Sequence, residues 1–469
     1  MGVPVLTVPE MRQWEEASWN AGRHAEEVIA QVGVILAQRV LELTQPGDAI
    51  LILAGKGNNG ADARAIEEHL LERRVWVMKI IEPRRAFSKV KELLGRKPAL
   101  VIDGLFGIGL NRELEPEWCS LIEAVNDAAL PVLSVDTPSG LDAQTGEVRG
   151  AAIKATWTVT LGAPKVGLIQ TRAVDWVGRL ELAEDIGLIP WSGEADLAWA
   201  TAEDFTGFPP LRPINGHKGT FGHVVLIGGS VGYHGAALLA ARGAQRAQPG
   251  LVTLCVPPEV YVPVAAQTQS VMVHPWKAGW ELPGSATAIV VGPGLAAQDL
   301  PEELKQWIRE LWRTSTLPMV VDASALGWLP EGSIGVESIR VITPHPGETA
   351  RMLGGTTGEV QKDRLKTLRE LSMRWGRTWV VLKGLHTLTG RSADAVTVNS
   401  SGNPGLAQGG SGDVLAGYLG GLLAQPRLQK DIRRTLAYAV WQHGAAADAL
   451  ANERKVWGIE ELLPYLGTI

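Results

Sequence analysis

Asn403–Gln425, NPGLAQGGSGDVLAGYLGGLLAQ, is the stretch whose reading decides the fold. Gly409, Gly410, Ser411 and Gly412 form a run with almost no side chain, and Asp413 follows at once. Val414, Leu415, Tyr418, Leu419, Leu422 and Leu423 then recur with helical period. A helix start exposes unpaired N–H groups and the positive end of its dipole. Glycines let an anion approach that backbone closely, so a phosphate suits the place. A carboxylate in the first turn can take the proton of a hydroxyl about to be phosphorylated. A tight loop with Asp413 as a favourable N-terminal charge would account for the Gly-Asp pair alone. Asn403-Pro404-Gly405, with several glycines in register, favours phosphoryl transfer.

Upstream of that turn, short apolar runs alternate with loops. His223–Ile227 leads into Gly228-Gly229-Ser230 and a helix from Gly235 to Arg246. Further strands are expected at Leu251–Val256, Ala288–Val291 (into GPGL), Met319–Asp322, Val341–Thr343 (into PHPGE) and Trp379–Leu382 (into KGLHT). Four loops at strand ends thus meet. Gly292-Pro293-Gly294 offers bare backbone, His345 an imidazole between prolines, and Lys383–Thr387 an ammonium and a hydroxyl for a nucleotide; the fourth is the glycine turn. No G-x-x-x-x-G-K-[ST] sequence occurs, so this is not a P-loop enzyme.

The first half has the same alternation. A helical stretch over Met11–Leu43 precedes strands at Ala49–Leu53, Val75–Ile81, Leu100–Asp103 and Val132–Val135, with a helix over Ala61–Arg73. GKGNNG (55–60) satisfies G-x-G-x-x-G after a strand, with Glu82 about 20 residues on, the mark of a dinucleotide-binding dehydrogenase. That pattern is weak, and Asn58-Asn59 puts carboxamides where the fingerprint needs none. Asn59, Asp103 and Ser139 each follow a strand and could supply oxygens to a hard cation, with Asp136 left for acid–base work.

The totals bound the answer. A chain of 469 residues favours two domains, and Pro190–Lys218, rich in Pro and Gly, reads as the linker. Net charge −6 gives no general surface for nucleic acid. Cys119 and Cys255 alone make no disulfide framework and fit a reducing cytosol. The N-terminus has no signal pattern, and no apolar run is long enough to span a bilayer, so a cytoplasmic protein without membrane partners is expected.

NNGAD (58–62), VIDGLFGIGLNRELEP (101–116), SVDTPSGLDAQTGEV (134–148) and TVTLGAPKVGL (158–168) resemble the NAD(P)H-hydrate epimerase family. HKGTFG (217–222), GGSVGYHGAALLAARGAQRA (228–247), GPGL, TPHPGETARML (343–353), KGLHT and the opening stretch resemble the ribokinase-like NAD(P)H-hydrate dehydratase family. Two three-layer αβα domains follow from that resemblance: a Rossmann-like epimerase over 1–205 and a ribokinase-like, ADP-dependent dehydratase over 206–469. By the same resemblance, Asn58, Asn59, Gly60, Ala61, Asp62, Gly107, Ile108, Gly109, Leu110, Asn111, Arg112, Glu113 and Asp136 contact the hydrated nucleotide. Asn59, Asp103 and Ser139 hold K+, Asp136 is the catalytic base, and Lys165 lies near the site. In the second domain Ala236, Gly294, His345 and Asp413 contact the substrate. Lys383, Gly384, Leu385, His386, Thr387 and Gly412 bind ADP, which comes with Mg2+, and Asp413 is catalytic. The resemblance also implies a homo-oligomer. Departures from the family pattern are Ala61 and Ala63 in place of glycines, and Ser324 in place of a second Asp. The alternative is a small-molecule kinase of the ribokinase superfamily carrying a non-catalytic N-terminal binding domain.

Overall fold

Continuously apolar strands are stable only when both faces are covered, and that requirement builds each half of the chain. The computed structural model describes residues 2–469, which divide into two compact units: Val3–Leu197, and Ala198–Ile469 with Gly2.

In the first unit six parallel strands run in the order Arg74–Lys79, Ala49–Ala54, Leu100–Gly104, Val132–Val135, Trp157–Leu161 and Arg179–Ala183. All six residues of Ala49–Ala54 are buried. Val32, Leu36 and Val40 pack on one face with Ile50 and Ile52, while Leu51 and Leu53 meet Val90, Leu93 and Leu121 on the other. The long N-terminal helix expected from periodicity is two, Val8–Asn20 and Ala25–Leu43, because Gly22 takes φ +88° and turns the chain. The helix expected over 61–73 is shorter, Asn58–Ala65, followed by a single 3-10 turn. Two strands of this sheet were not anticipated. Trp157–Leu161 alternates Thr with apolar residues and reads as half-exposed, yet four of its five residues are buried. Arg179–Ala183 is an edge strand with two charges.

In the second unit a sheet runs Val396–Val398, Leu388–Gly390, Trp379–Leu382, Arg340–Ile342, Met319–Val321, Ala288–Val291, His223–Ile227, Leu251–Val256 and Met272–Pro275. The pairs are parallel from Trp379–Leu382 onward, and the two strands before it are joined antiparallel. Helix Ser411–Leu423 lies against helix His234–Arg246 at backbone distance: a Cβ on Gly417 would stand 1.8 Å from Ala240 O, so only glycine fits. The stretch read as a linker is partly core. Phe205 is buried and packs edge-on to Tyr438 (5.6 Å between ring centroids), and Ala200 N–H donates to Val398 O (2.9 Å). Aromatic packing overrides the Pro/Gly signal there. Among the described residues, no helix is long and apolar enough to cross a membrane.

Candidate active sites at two sheet edges

In the first unit the carboxyl ends of the parallel strands deliver the polar loops to a cavity of about 750 Å³. Asn58, Asn59, Asp62, Gly107, Ile108, Gly109, Leu110, Asn111, Arg112, Asp136 and Lys165 line it. Helix Asn58–Ala65 opens on Gly57 with no side chain capping its first turn, which leaves its N–H groups facing the cavity mouth. Three expected contacts are absent from the lining. Gly60 is glycine for packing, since a Cβ there would fall 2.1 Å from Gly55 O. Ala61 sits beside it on the helix, away from the cavity, and Ala63 is fully buried where Gly104 leaves room. The two alanines therefore stand outside the lining. Glu113 points to Arg149 (3.9 Å) and is largely exposed.

Asp136 is held unusually. Its backbone takes φ +62°, a conformation that costs a non-glycine residue ~1 kcal/mol and tends to persist only where surrounding structure fixes it. Its Oδ1 accepts from Leu161 N–H (3.0 Å), from Thr160 Oγ1 (3.3 Å) and from the fully buried Lys165 ammonium. Burial, then the charges of Asp136 and Glu15, push the Asp62 carboxyl up to about 7, against the pull of Lys165. Glu15 is likewise raised, by burial first and Asp136 second. The exposed Arg12 and the half-buried Glu15 of helix Val8–Asn20, which also line the cavity, were missed in the sequence. Their spacing of three, beside Met11, would have put them on one face.

Asp103 is completely buried, and burial raises its pKa against four hydrogen bonds. It accepts from Ser134 Oγ (2.8 Å), Ser139 N–H (2.8 Å), Ser139 Oγ (2.5 Å) and Leu105 N–H (3.3 Å). Ser139 Oγ also receives Phe106 N–H (2.8 Å), and Asn59 Nδ2 donates to Phe106 O (2.8 Å). Asn59, Asp103 and Ser139 thus meet around one loop. Asn59 Oδ1 is buried without a hydrogen-bond partner, an open oxygen that fits a cation.

In the second unit helix Ser411–Leu423 starts on Gly410, at φ +95°, again with no side-chain cap. Asn403 braces the approach, its Oδ1 accepting from Gly405 N–H (2.9 Å) and its Nδ2 donating to Asp448 (3.0 Å). A Cβ on Gly412 would lie 3.2 Å from Lys383 Nζ and 3.8 Å from Asp322 Oδ2, so the bare turn faces a cation. Lys383 is no solvated lysine. Its ammonium is 2.7 Å from Asp322 Oδ1 and 3.8 Å from Glu348 Oε2. Burial works against its charge, but Asp322, Glu348 and Asp413 outweigh it and raise the pKa. Burial first, then Asp322, push Asp413 up to about 7, with Lys383 opposing. Asp322, at the end of Met319–Val321, is buried and also accepts from Thr343 Oγ1 (2.6 Å). Sequence reasoning gave it no role, although an Asp closing a strand beside the site was the available signal. Ser324 lies two residues on and is exposed.

The remaining residues divide. Ala236 and Gly294 are brought together: a Cβ on Gly294 would stand 3.1 Å from that of Ala236, and Gly294 takes φ +72°. His345 caps helix Pro346–Leu353, its Nδ1 accepting from Gly347 N–H (3.0 Å) and Glu348 N–H (3.3 Å). Its half-exposed ring keeps Nε2 near Glu348 (3.4 Å). In the KGLHT loop, His386 turns inward against Trp199 (4.9 Å) and bonds Asn399 O (3.2 Å); burial lowers its pKa to about 4. Thr387 Oγ1 is spent on Gly384 O (2.9 Å). Backbone and Leu385 are what this loop offers outward.

Both raised carboxyls carry a sign. Their folded pKa values, about 7, exceed the 3.8 ordinary for an aspartate, so the fold favours the protonated forms. The stability each adds is complete below about pH 4 and is lost as pH rises through about 7. As a base, however, Asp413 must be ionised, so the rate of the C-terminal reaction is expected to rise with pH through about 7 and level off. Rate profiles and thermal unfolding between pH 4 and 9 check both; a flat profile would remove Asp413 as the base.

A Rossmann-like unit joined to a ribokinase-like unit, each with an uncapped helix N-terminus beside a carboxylate, defines a two-site α/β enzyme acting on phosphate-bearing substrates. Residues 224–465 match the family model described as NAD(P)H-hydrate dehydratase, and 77–167 that described as YjeF-related protein N-terminus. The bifunctional NAD(P)H-hydrate repair enzyme Nnr of Coxiella burnetii is 33% identical over 488 residues, covering 97% of each chain. That of Moorella thermoacetica is 35% identical over 474 residues, covering 89% of this chain and 87% of its own. The crystal structure of the ADP/ATP-dependent NAD(P)H-hydrate dehydratase from Bacillus subtilis, co-crystallised with ATP/Mg2+, matches with TM-score 0.52 and 31% identity. It covers 57% of this chain and 95% of its own. The chain belongs to the family of bifunctional NAD(P)H-hydrate repair enzymes.

Proposed function

We propose that the first unit interconverts the R and S hydrates of NADH or NADPH, and that the second dehydrates the S form at the expense of ADP, releasing AMP and phosphate. The observation that carries the second assignment is Asp413 in the first turn of an uncapped helix, with Lys383 against Gly412. Asp413 takes the proton of the C6 hydroxyl, and the oxygen attacks the β-phosphorus of ADP while AMP departs. The helix amides and Lys383 stabilise the charge that develops on the phosphoryl oxygens. Phosphate is then a good leaving group. The lone pair of ring nitrogen N1 expels it, and passage of a C5 proton to the departing phosphate restores the double bond. Ala236 and Gly294 give the ring a flat, close-fitting wall. ADP is taken as its Mg2+ complex, the metal arriving with the substrate.

In the first unit Asp136, fixed by Lys165, removes the hydroxyl proton, and the C6–N1 bond opens to an aldehyde. Asp62, protonated near neutrality, supplies the proton to N1. Rotation of the aldehyde and re-addition of the nitrogen to its other face give the opposite epimer. Asn59, Asp103 and Ser139 would hold K+, which would supply positive charge beside the phosphate at the helix start. Potassium is expected to raise the epimerisation rate over equimolar sodium, and Asn59→Leu to abolish that difference. An equal response in the variant would remove Asn59 as a ligand.

Incubating a mixture of both hydrates with ADP or ATP tests the whole reading. Reduced-cofactor absorbance should recover completely, both epimers being consumed. Recovery limited to the S fraction would leave the first unit without epimerase activity, and no recovery with either nucleotide would refute the second assignment.

A further inference from the structure

Arg364 begins helix Arg364–Arg374, yet its side chain is turned away from helix duty, since Asp363 caps the helix by accepting from Lys366 N–H (3.0 Å). A cation at a helix N-terminus opposes the dipole, so its placement there is locally unfavourable. What it gains lies across the sheet edge. Nη2 donates to Leu382 O (3.0 Å) and Lys383 O (3.4 Å), and Nη1 to His386 O (3.2 Å) and Leu385 O. One guanidinium therefore gathers four carbonyls of five consecutive residues. The loop it gathers is strained, with Gly384 at φ +129° and the non-glycine His386 at φ +49°. Burial without a carboxylate partner brings Arg364 down to about 10, the mark of a charge kept inside for its geometry.

In a trans peptide the N–H points opposite to the C=O. Carbonyls aimed at Arg364 thus aim the N–H groups of Lys383, Gly384, His386 and Thr387 at the loop's other side. The first is taken by Pro344 O (2.9 Å), while Gly384, beside the exposed Leu385, presents its N–H at the surface of the loop. We infer that Arg364 is a positioning residue for nucleotide binding: it holds the Lys383–Thr387 loop so that its amides meet the anionic oxygens of ADP. This rests on the reading that the loop binds the nucleotide. Arg364, with its guanidinium turned to the loop carbonyls, acts through the loop.

The test uses the full chain, with Arg364→Met, Arg364→Lys and Gly384→Val compared in steady-state dehydration of the S hydrate and in epimerisation. Gly384→Val disturbs the loop directly, because its Cβ would sit 3.5 Å from Arg364 Nη2 on a backbone that side chains rarely adopt. Arg364→Met is expected to raise KM for ADP by roughly tenfold or more. KM for the hydrate and the epimerase rate should stay within about twofold, as neither depends on the loop. Arg364→Lys, which keeps the charge but reaches fewer carbonyls, should fall between, and carries the test alone if the methionine variant does not fold. A lowered kcat with unchanged KM for ADP would mark a merely structural role and overturn the proposal. If Gly384→Val raises KM for ADP while neither Arg364 variant does, the proposal fails and the loop reading stands. If no variant moves it, the loop reading itself fails, and the proposal with it.

Discussion

Asp413→Asn is expected to lower nucleotide-dependent dehydration of the S hydrate by roughly 10²–10⁴-fold, the usual contribution of a positioned base, while epimerisation continues at its normal rate. Asparagine keeps the shape and can still lie in the first helical turn, so the backbone cradle should survive. It cannot accept the hydroxyl proton. The substitution also removes a negative charge from a cluster containing Asp322 and Glu348, whose proximity helps raise Asp413 to about 7. Relief of that repulsion should leave the variant at least as heat-stable above neutral pH. Kinetics with S hydrate and ADP, alongside a thermal scan at pH 8, separate the two effects. Normal dehydration by the variant would sink the mechanism, and lost activity with a large fall in melting temperature would point to damage instead.

Asp136→Asn is expected to slow interconversion of the R and S hydrates by roughly 10²–10⁴-fold and to leave dehydration of pure S hydrate untouched. Here stability should move the other way. Lys165 is 1% exposed and its ammonium bonds Asp136, Thr160 Oγ1 (3.2 Å) and Leu161 O (2.8 Å). Removing the carboxylate strands that charge, a loss of about 3–5 kcal/mol in comparable buried pairs. Asp136→Asn with Lys165→Met takes away both charges. The double variant should regain part of the lost thermal stability without regaining epimerisation. Unchanged epimerisation in the single variant would refute the role of Asp136; recovery of epimerisation in the double variant would show that the single change acted only by destabilising the fold.

Much of each site was legible because it is local. A glycine run, an acid and an apolar helix lie within a few residues of one another, and the dipole and free amides of a helix start belong to any helix. The strand-end positions of Asn59, Asp103 and Ser139 could likewise be read from alternation alone. What escaped notice was non-local. Asp322 closes a strand 61 residues from Lys383, with which it pairs. Arg364 reaches a loop about twenty residues on. Glu15 and Arg12 enter the first cavity from a helix that looked like one half of a longer one. Gly60, Ala61 and Glu113, which lie off the cavity wall, neighbour residues that line it, because a helix or loop turns successive side chains in different directions.

By itself, the sequence determined the α/β architecture of both halves, the family, and the glycine-led helix starts beside an acid, since these depend on period, glycine and chain-local chemistry. Tertiary structure alone decided protonation and partnership. It set which carboxyls are buried enough to rise to about 7, which lysines pair with buried acids, and which arginine gathers the carbonyls of the Leu382–His386 segment. The physical reason is that desolvation and charge–charge interaction depend on distance through the folded interior, and the order of residues along the chain does not encode that distance.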